Sequence, residues 1–216
     1  MNFHVVHQLV PTKGKRLTQF IDETELVLGI RFPLDYLDRA SVLTLVDQEQ
    51  VICGGAIVVL EPPFRSIRSI PTGSEVDFCV GKQEEWAEIN GVWLNAEKKS
   101  PYLSFTFWSH LISHLLRTNK QHFIFTFDNS NNRMSQVANV FQPEVLYSGK
   151  TIKLEGMKTD SDETIAAVNR KVLSATQELL ARRGIGKAEP QEEEIIQRIK
   201  KRRMLGAVNS VQKSRW

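Results

Sequence analysis

Several groups of residues in this 216-residue chain have the types and spacing to do chemistry. Glu88 is the acid within an otherwise apolar strand pattern, W-A-E-I-N-G-V-W-L-N. A carboxylate removed from water gains affinity for a proton, which suits a general base; a strand-end glutamate paired with a lysine or arginine would look the same. Just downstream, A-E-K-K-S-P leads into the apolar-periodic segment YLSFTFWSHLISHLL. Ser100 can cap a helix there, and Pro101 suits its first position. Lys98, Lys99 and the amides of that first turn would then favour an anion such as a phosphate, although a solvated turn uses the same residues. Asp35 and Asp38 lie in a turn-rich connection, where aspartates commonly serve local hydrogen bonds. His110 and His114 have the i, i+4 spacing of a metal pair, but no cysteine cluster or H-E-x-x-H pattern completes a site, so no metal is expected.

The elements that must position these residues follow from periodicity. Hydrophobic residues make up 41% and charged residues 25%, the balance of a soluble domain with a real core. No run approaches the length of a membrane span, and the N-terminus lacks a basic-then-apolar export pattern, so a cytoplasmic protein is expected. Cys53 and Cys79 sit in apolar strand-like segments without ligand spacing, as buried thiols do in a reducing compartment. Residues 3–10 read as a strand, the segment after Thr12 as one or two short helices, and 41–47 with 51–60 as a hairpin. The interval 61–85 holds Pro62, Pro63, Pro71 and Gly73 and reads as irregular, a length of loop that usually serves function or moves. Then come the Glu88 strand, the helix from Pro101, a strand over 122–127, a short helix over 133–141 and a strand over 144–152. Residues 160–184 read as a helix, opened by Asp162 and Glu163, lined by Ile165, Val168, Val172 and Leu179, and stopped by Gly184. A second helix pattern follows Pro190.

This order resembles the GNAT acyltransferase fold, of class α/β (α+β): a mixed, mostly antiparallel central sheet flanked by helices. Three patterns bring it nearest to acyl-homoserine-lactone (autoinducer) synthases and related N-acyl amino acid synthases. D-Y-L-D-R-A-S-V-L-T-L-V-D-Q-E-Q-V-I-C-G-G is similar to that group's aspartate pair before a hairpin ending in glycine. F-R-S-I-R-S-I-P-T is similar to its arginine-containing strand leading to a Pro-Thr turn, and W-A-E-I-N-G-V-W-L-N to its strand carrying a glutamate. The resemblance covers residues 30–150 and implies transfer of an acyl group to the amine of a small molecule. The donor would be acyl-CoA or the phosphopantetheine of an acyl carrier protein, a co-substrate and not a permanently bound cofactor. Glu88 would be the base, and Tyr147 is the tyrosine nearest to the family's general acid. Backbone amides at Trp93, Leu94 and Asn95 would meet pantetheine if their strand splays from its neighbour. Lys98, Lys99 and Ser100 would hold phosphates, and Asn131 and Asn132 would contact the cofactor from a helix start. Asp35, Asp38 and Arg68 would bind the acceptor. The chain departs from the family in its phosphate loop, which has no glycine where Q/R-x-x-G-x-G/A is usual. It also has Gly91 where the autoinducer group has an arginine, and no tyrosine on the helix after strand five.

Charge divides the chain unevenly. Up to Ser161 acids outnumber bases 18 to 16, and from Asp162 onward bases lead 12 to 7. The expected division is therefore a GNAT-like domain over 1–159 and a helical, basic C-terminal extension over 160–216. Such a tail suits solvent, or an acidic partner such as an acyl carrier protein; its single aromatic, Trp216, argues against nucleic acid. Two rival functions accompany the acyltransferase: a GNAT-like binding or scaffold protein without catalysis, acting through the C-terminal helices, and a nucleic-acid-associated protein.

Overall fold

Alternating apolar strands leave two sheet faces to be covered, and the chain covers both. The computed structural model describes residues 8–74, 83–95, 101–130 and 141–184. Its strands are β1 (Gln8–Pro11), β2 (Ala40–Val46), β3 (Ile52–Val59), β4 (Trp86–Leu94), β5 (His122–Asp128), β6 (Glu144–Thr151) and β7 (Ser161–Asn169). The helices are α1 (Lys15–Leu28), α2 (Leu34–Asp38), α3 (Arg65–Arg68), α4 (Pro101–Arg117) and α5 (Arg170–Gly184). The seven strands form one sheet in the order β1-β2-β3-β4-β5-β7-β6. Among the described residues only β4 and β5 run parallel; the other neighbours are antiparallel. A mixed, mostly antiparallel sheet flanked by helices is what the sequence implied.

On one face, Ile57, Val59, Trp86, Trp93, Ile124 and Ile165 pack with Phe20, Phe32 and Tyr36 from α1, α2 and their connection. On the other, Val58, Ala87, Phe123 and Val168 pack with Leu103, Phe107 and Leu111 of α4 and Leu173 of α5. The segment after Thr12 is a single helix. Gly29 ends it in the left-handed conformation and donates its N–H to the Glu25 carbonyl at 2.9 Å.

Three readings of the sequence need correction. Residues 161–169 are a strand, not the first half of a helix. Both faces of β7 are buried, with Ile165 and Ala167 on one and Val168 on the other, so its apolar run carries no clean alternation. The helix begins only at Arg170, where Asn169 Oδ1 accepts the Val172 N–H at 3.0 Å. Second, the stretch containing Arg65 and Arg68 is a short helix and not a strand or irregular loop. Third, Asp35 and Asp38 lie on the short helix α2. The chain divides into compact units Met1–Ala181 and Arg182–Trp216, so the expected boundary at 159/160 falls ahead of a strand paired on both sides. Of the second unit only Arg182–Gly184 are described, and the basic tail lies outside the described residues.

Candidate active site

The central geometric feature is where β4 and β5 stop pairing. Their ladder runs from Trp86↔His122 to Ile89↔Phe125 and ends there. Beyond it, β4 continues to Leu94 bonded to β3, and β5 continues to Asp128 bonded to β7. Two parallel strands held by different outer neighbours part in a V. A bulge in β4 coincides with the parting: Gly55 pairs Trp93 but Ile57 pairs Asn90, so Gly91 and Val92 together oppose Ala56. Gly91 has φ +55, and a Cβ there would lie 2.9 Å from Ile57 Cδ1 and 3.1 Å from Phe32 Cε2. Any side chain at this position would be strained, which favours the glycine found here.

Strand alternation decides which amides look into the V. The Asn95 N–H donates to the Cys53 carbonyl at 2.8 Å, so Asn95 and Trp93 turn their backbone groups toward β3. Val92 and Leu94 turn theirs toward the opening. Of the three amides expected to meet pantetheine, Leu94 is the one suitably directed, and Val92 joins it. The Trp93 side chain is structural: its Nε1 donates to Thr24 Oγ1 at 2.9 Å, and its ring stacks on Phe20 with centroids 6.1 Å apart.

Glu88 lies two residues before the V, on the face covered by α2 and α3, and is fully buried. Three donors surround its carboxylate. Tyr36 Oη donates to Oε2 at 2.7 Å, the Arg65 N–H to Oε2 at 3.0 Å, and the Ser66 N–H to Oε1 at 2.5 Å. Asn90 Nδ2 in turn donates to Tyr36 Oη at 3.2 Å. Burial, and then the neighbouring Glu88 charge, hold the Tyr36 phenol well above its ordinary pKa, so it stays protonated and donating. The Ser66 hydroxyl accepts from Thr126 Oγ1 at 2.7 Å, tying α3 to β5 where that strand leaves β4. The Arg65 guanidinium lies over the Phe32 ring, 5.5 Å from its centroid, and donates to the Glu155 carbonyl. Burial lowers its pKa from the usual arginine range.

No protein-family model matches the sequence, and no curated protein matches it significantly. Solved structures do match. The GCN5-related N-acetyltransferase from Brucella melitensis is 12% identical over 88% of this chain and 91% of its own, with a TM-score of 0.56. FeeM, an N-acyl amino acid synthase from uncultured soil microbes, is 10% identical over 82% of this chain and 98% of its own, with a TM-score of 0.53. The yncA protein of Salmonella typhimurium, solved with its cofactor acetyl-CoA, is 12% identical over 87% and 99%, with a TM-score of 0.52. The chain has the GNAT fold.

Within that GNAT fold the candidate residues are unevenly gathered. Glu88 and the edge of Trp93–Asn95 lie on one strand beside the V. Asp35 and Asp38 are exposed on α2, flanking the inward-pointing Tyr36, and Arg68 is exposed at the end of α3. Tyr147 is not brought to Glu88. It lies on β6, three strands from β4 and so about 14 Å away, and its hydroxyl donates to the Lys150 carbonyl at 2.7 Å. Lys98, Lys99, Ser100, Asn131 and Asn132 lie outside the described residues. His110 is exposed and His114 half-buried, and no group of three His, Cys, Asp or Glu that could hold a metal occurs among the described residues. A shallow hollow of about 550 Å³ along Lys15, Gln19 and Glu23 lies on the α1 face opposite Phe20, Ile21 and Thr24. The sequence reading missed Tyr36, Ser66, Arg65 and Asn90. Asn90 was within reach of it, because period two puts Asn90 on the same face as Glu88. No local signal marks the other three.

Proposed function

We propose that this protein is an acyltransferase that moves an acyl group from a pantetheine thioester to the amine of a small molecule. The observation that carries this reading is the end of the β4–β5 ladder at Ile89/Phe125, with Val92 and Leu94 directing amide groups into the gap. An extended pantetheine arm carries two amides, and it can join β4 there as an added half-strand would. The GNAT fold supports the same placement, and one neighbour with that fold is described with acetyl-CoA. Lys98, Lys99 and Ser100 would hold the donor's phosphates by charge and hydrogen bonds in place of glycines, and Asn131 and Asn132 would contact the same co-substrate. Glu88 would take the proton from the acceptor indirectly, since no surface of it is exposed. Asp35, Asp38 and Arg68 offer charges of both signs for the acceptor. The seven basic residues from Arg198 to Arg215 would favour an acyl carrier protein as donor.

The complete engagement of Glu88 favours one second reading, a GNAT-fold binding protein without turnover. Calorimetry with acetyl-CoA, a long-chain acyl-CoA and an acyl carrier protein, followed by thiol-release assays with an amine panel, separates the two. Donor binding with turnover is expected. Binding without turnover supports the binding protein, and no binding to any donor defeats the acyltransferase. Pull-downs before and after truncation at Gly184 test whether the tail recruits the carrier protein.

A further inference from the structure

Buried carboxylates that accept protons need a route to solvent or substrate, and the surroundings of Glu88 leave one. Its carboxylate is fully buried, and the two backbone N–H groups of Arg65 and Ser66 are fixed by α3. The third donor, Tyr36 Oη, is the only side-chain hydroxyl bonded to it among the described residues, at 2.7 Å. That hydroxyl is also reached by Asn90 Nδ2 at 3.2 Å. Asn90 is the first β4 residue past the last β4–β5 pair, Ile89↔Phe125, and it is half-buried. The phenol, 6% exposed where Glu88 has no exposed surface, therefore bridges the carboxylate and the side chain of Asn90.

We infer that Tyr36 is the catalytic residue that touches the acceptor amine and relays its proton to Glu88. The inference rests on the acyltransferase reading. As the amine nitrogen bonds to the thioester carbonyl carbon, Tyr36 Oη takes the N–H proton while its own proton passes to Glu88 Oε2. Collapse of the tetrahedral intermediate breaks the C–S bond. The proton then returns from Glu88 through Tyr36 to the departing thiolate, so amide and thiol form with no net change in the protein. Asn90 is a positioning residue: its amide fixes the Tyr36 oxygen so that a lone pair is left for the amine. A phenol held protonated by burial and by the Glu88 charge fits a relay, which must begin as a donor to the carboxylate.

The test uses the full chain, acetyl-CoA as donor, and two classes of acceptor: ordinary primary amines, charged at neutral pH, and hydroxylamine, largely uncharged there. Tyr36→Phe is expected to bind acetyl-CoA as the wild type does. It should lower turnover with both classes by about 100-fold or more, because each attacks in its neutral form and must then lose an N–H proton. A matching loss of acetyl-CoA binding would mean a packing role, and near-wild-type turnover with either class would overturn the relay while leaving the acyltransferase standing. A wild type inactive with every acceptor would instead remove the acyltransferase reading itself. A measurement on the wild type alone guards against a misfolded variant. The single-turnover rate in mixed light and heavy water should curve with isotope fraction, as two moving protons require; a straight or flat dependence overturns the relay.

Discussion

Thr24 Oγ1 accepts the indole N–H of Trp93 at 2.9 Å, and neither residue is more than 5% exposed. The bond ties α1 to β4 at the outer end of the V. Thr24 also donates to the Phe20 carbonyl, so its hydroxyl is engaged on both sides. Thr24→Val keeps the shape and leaves the indole N–H buried without its acceptor. A loss of about 1–3 kcal/mol is expected, read as a lower urea midpoint with unchanged slope, and Thr24→Ser should recover most of it.

Gly91→Ala tests the bulge. The residue sits at φ +55 with Ile57 and Phe32 within 3.1 Å of the added Cβ. Left-handed strain and overlap together should cost about 1–3 kcal/mol. Calorimetric scanning checks it; unchanged stability would mean that β4 can lose the bulge.

Glu163 titrates against its surroundings. Burial, which outweighs the hydrogen bond from Thr151, and then the Asp128 carboxylate opposite it in the β5–β7 ladder, raise its pKa above the usual 4.5. The folded chain therefore favours its neutral form more than the unfolded chain does. The stability it contributes is present below pH 4.5 and is lost as pH rises through the elevated folded value. Glu163→Gln should accordingly raise the melting temperature at pH 7 by roughly 1–3 °C, with the advantage shrinking to nothing near pH 4. A constant difference across that range would reject the assignment.

Arg170, the first residue of α5, closes the end of α4. Its guanidinium donates to the carbonyls of Thr118 at 2.7 Å and Lys120 at 3.2 Å, and also to that of Leu116. Arg170→Ala should cost about 1–3 kcal/mol and speed amide exchange in the last turn of α4. Arg170→Lys should recover only part, because an ammonium cannot span carbonyls that a planar fork reaches together.

Much of this architecture could be read from residue patterns, and the failures have physical causes. The β2–β3 hairpin, β4, α4 and β5 stand out because their apolar periods are long and their ends are marked by polar loops or by Ser100-Pro101. β7 was hidden because a strand buried on both faces loses alternation, and because Asp162 and Glu163 imitate the acidic start of a helix. α3 is four residues long, and Glu88, some twenty residues later in sequence, accepts its first amide protons. No local window contains that bond. Glu88 itself was legible as a buried polar residue, but its partner Tyr36 was not, since the flanking aspartates drew attention to the exposed side of the same helix. The direction of the Val92 and Leu94 amides depends on a bulge, a property of strand register that residue types only hint at.

The position of β7 between β5 and β6 has a consequence for how the chain is made. Six strands leave the ribosome before the one that joins β6 to the rest of the sheet. Until Asn169 has been synthesised, β5 has a bare edge on that side, and β6 lacks the neighbour it pairs with. Open edges of this kind recruit strands from other chains. Completion of the sheet waits for β7, and a nascent chain paused between Thr151 and Ser161 leaves that edge open to its own copies.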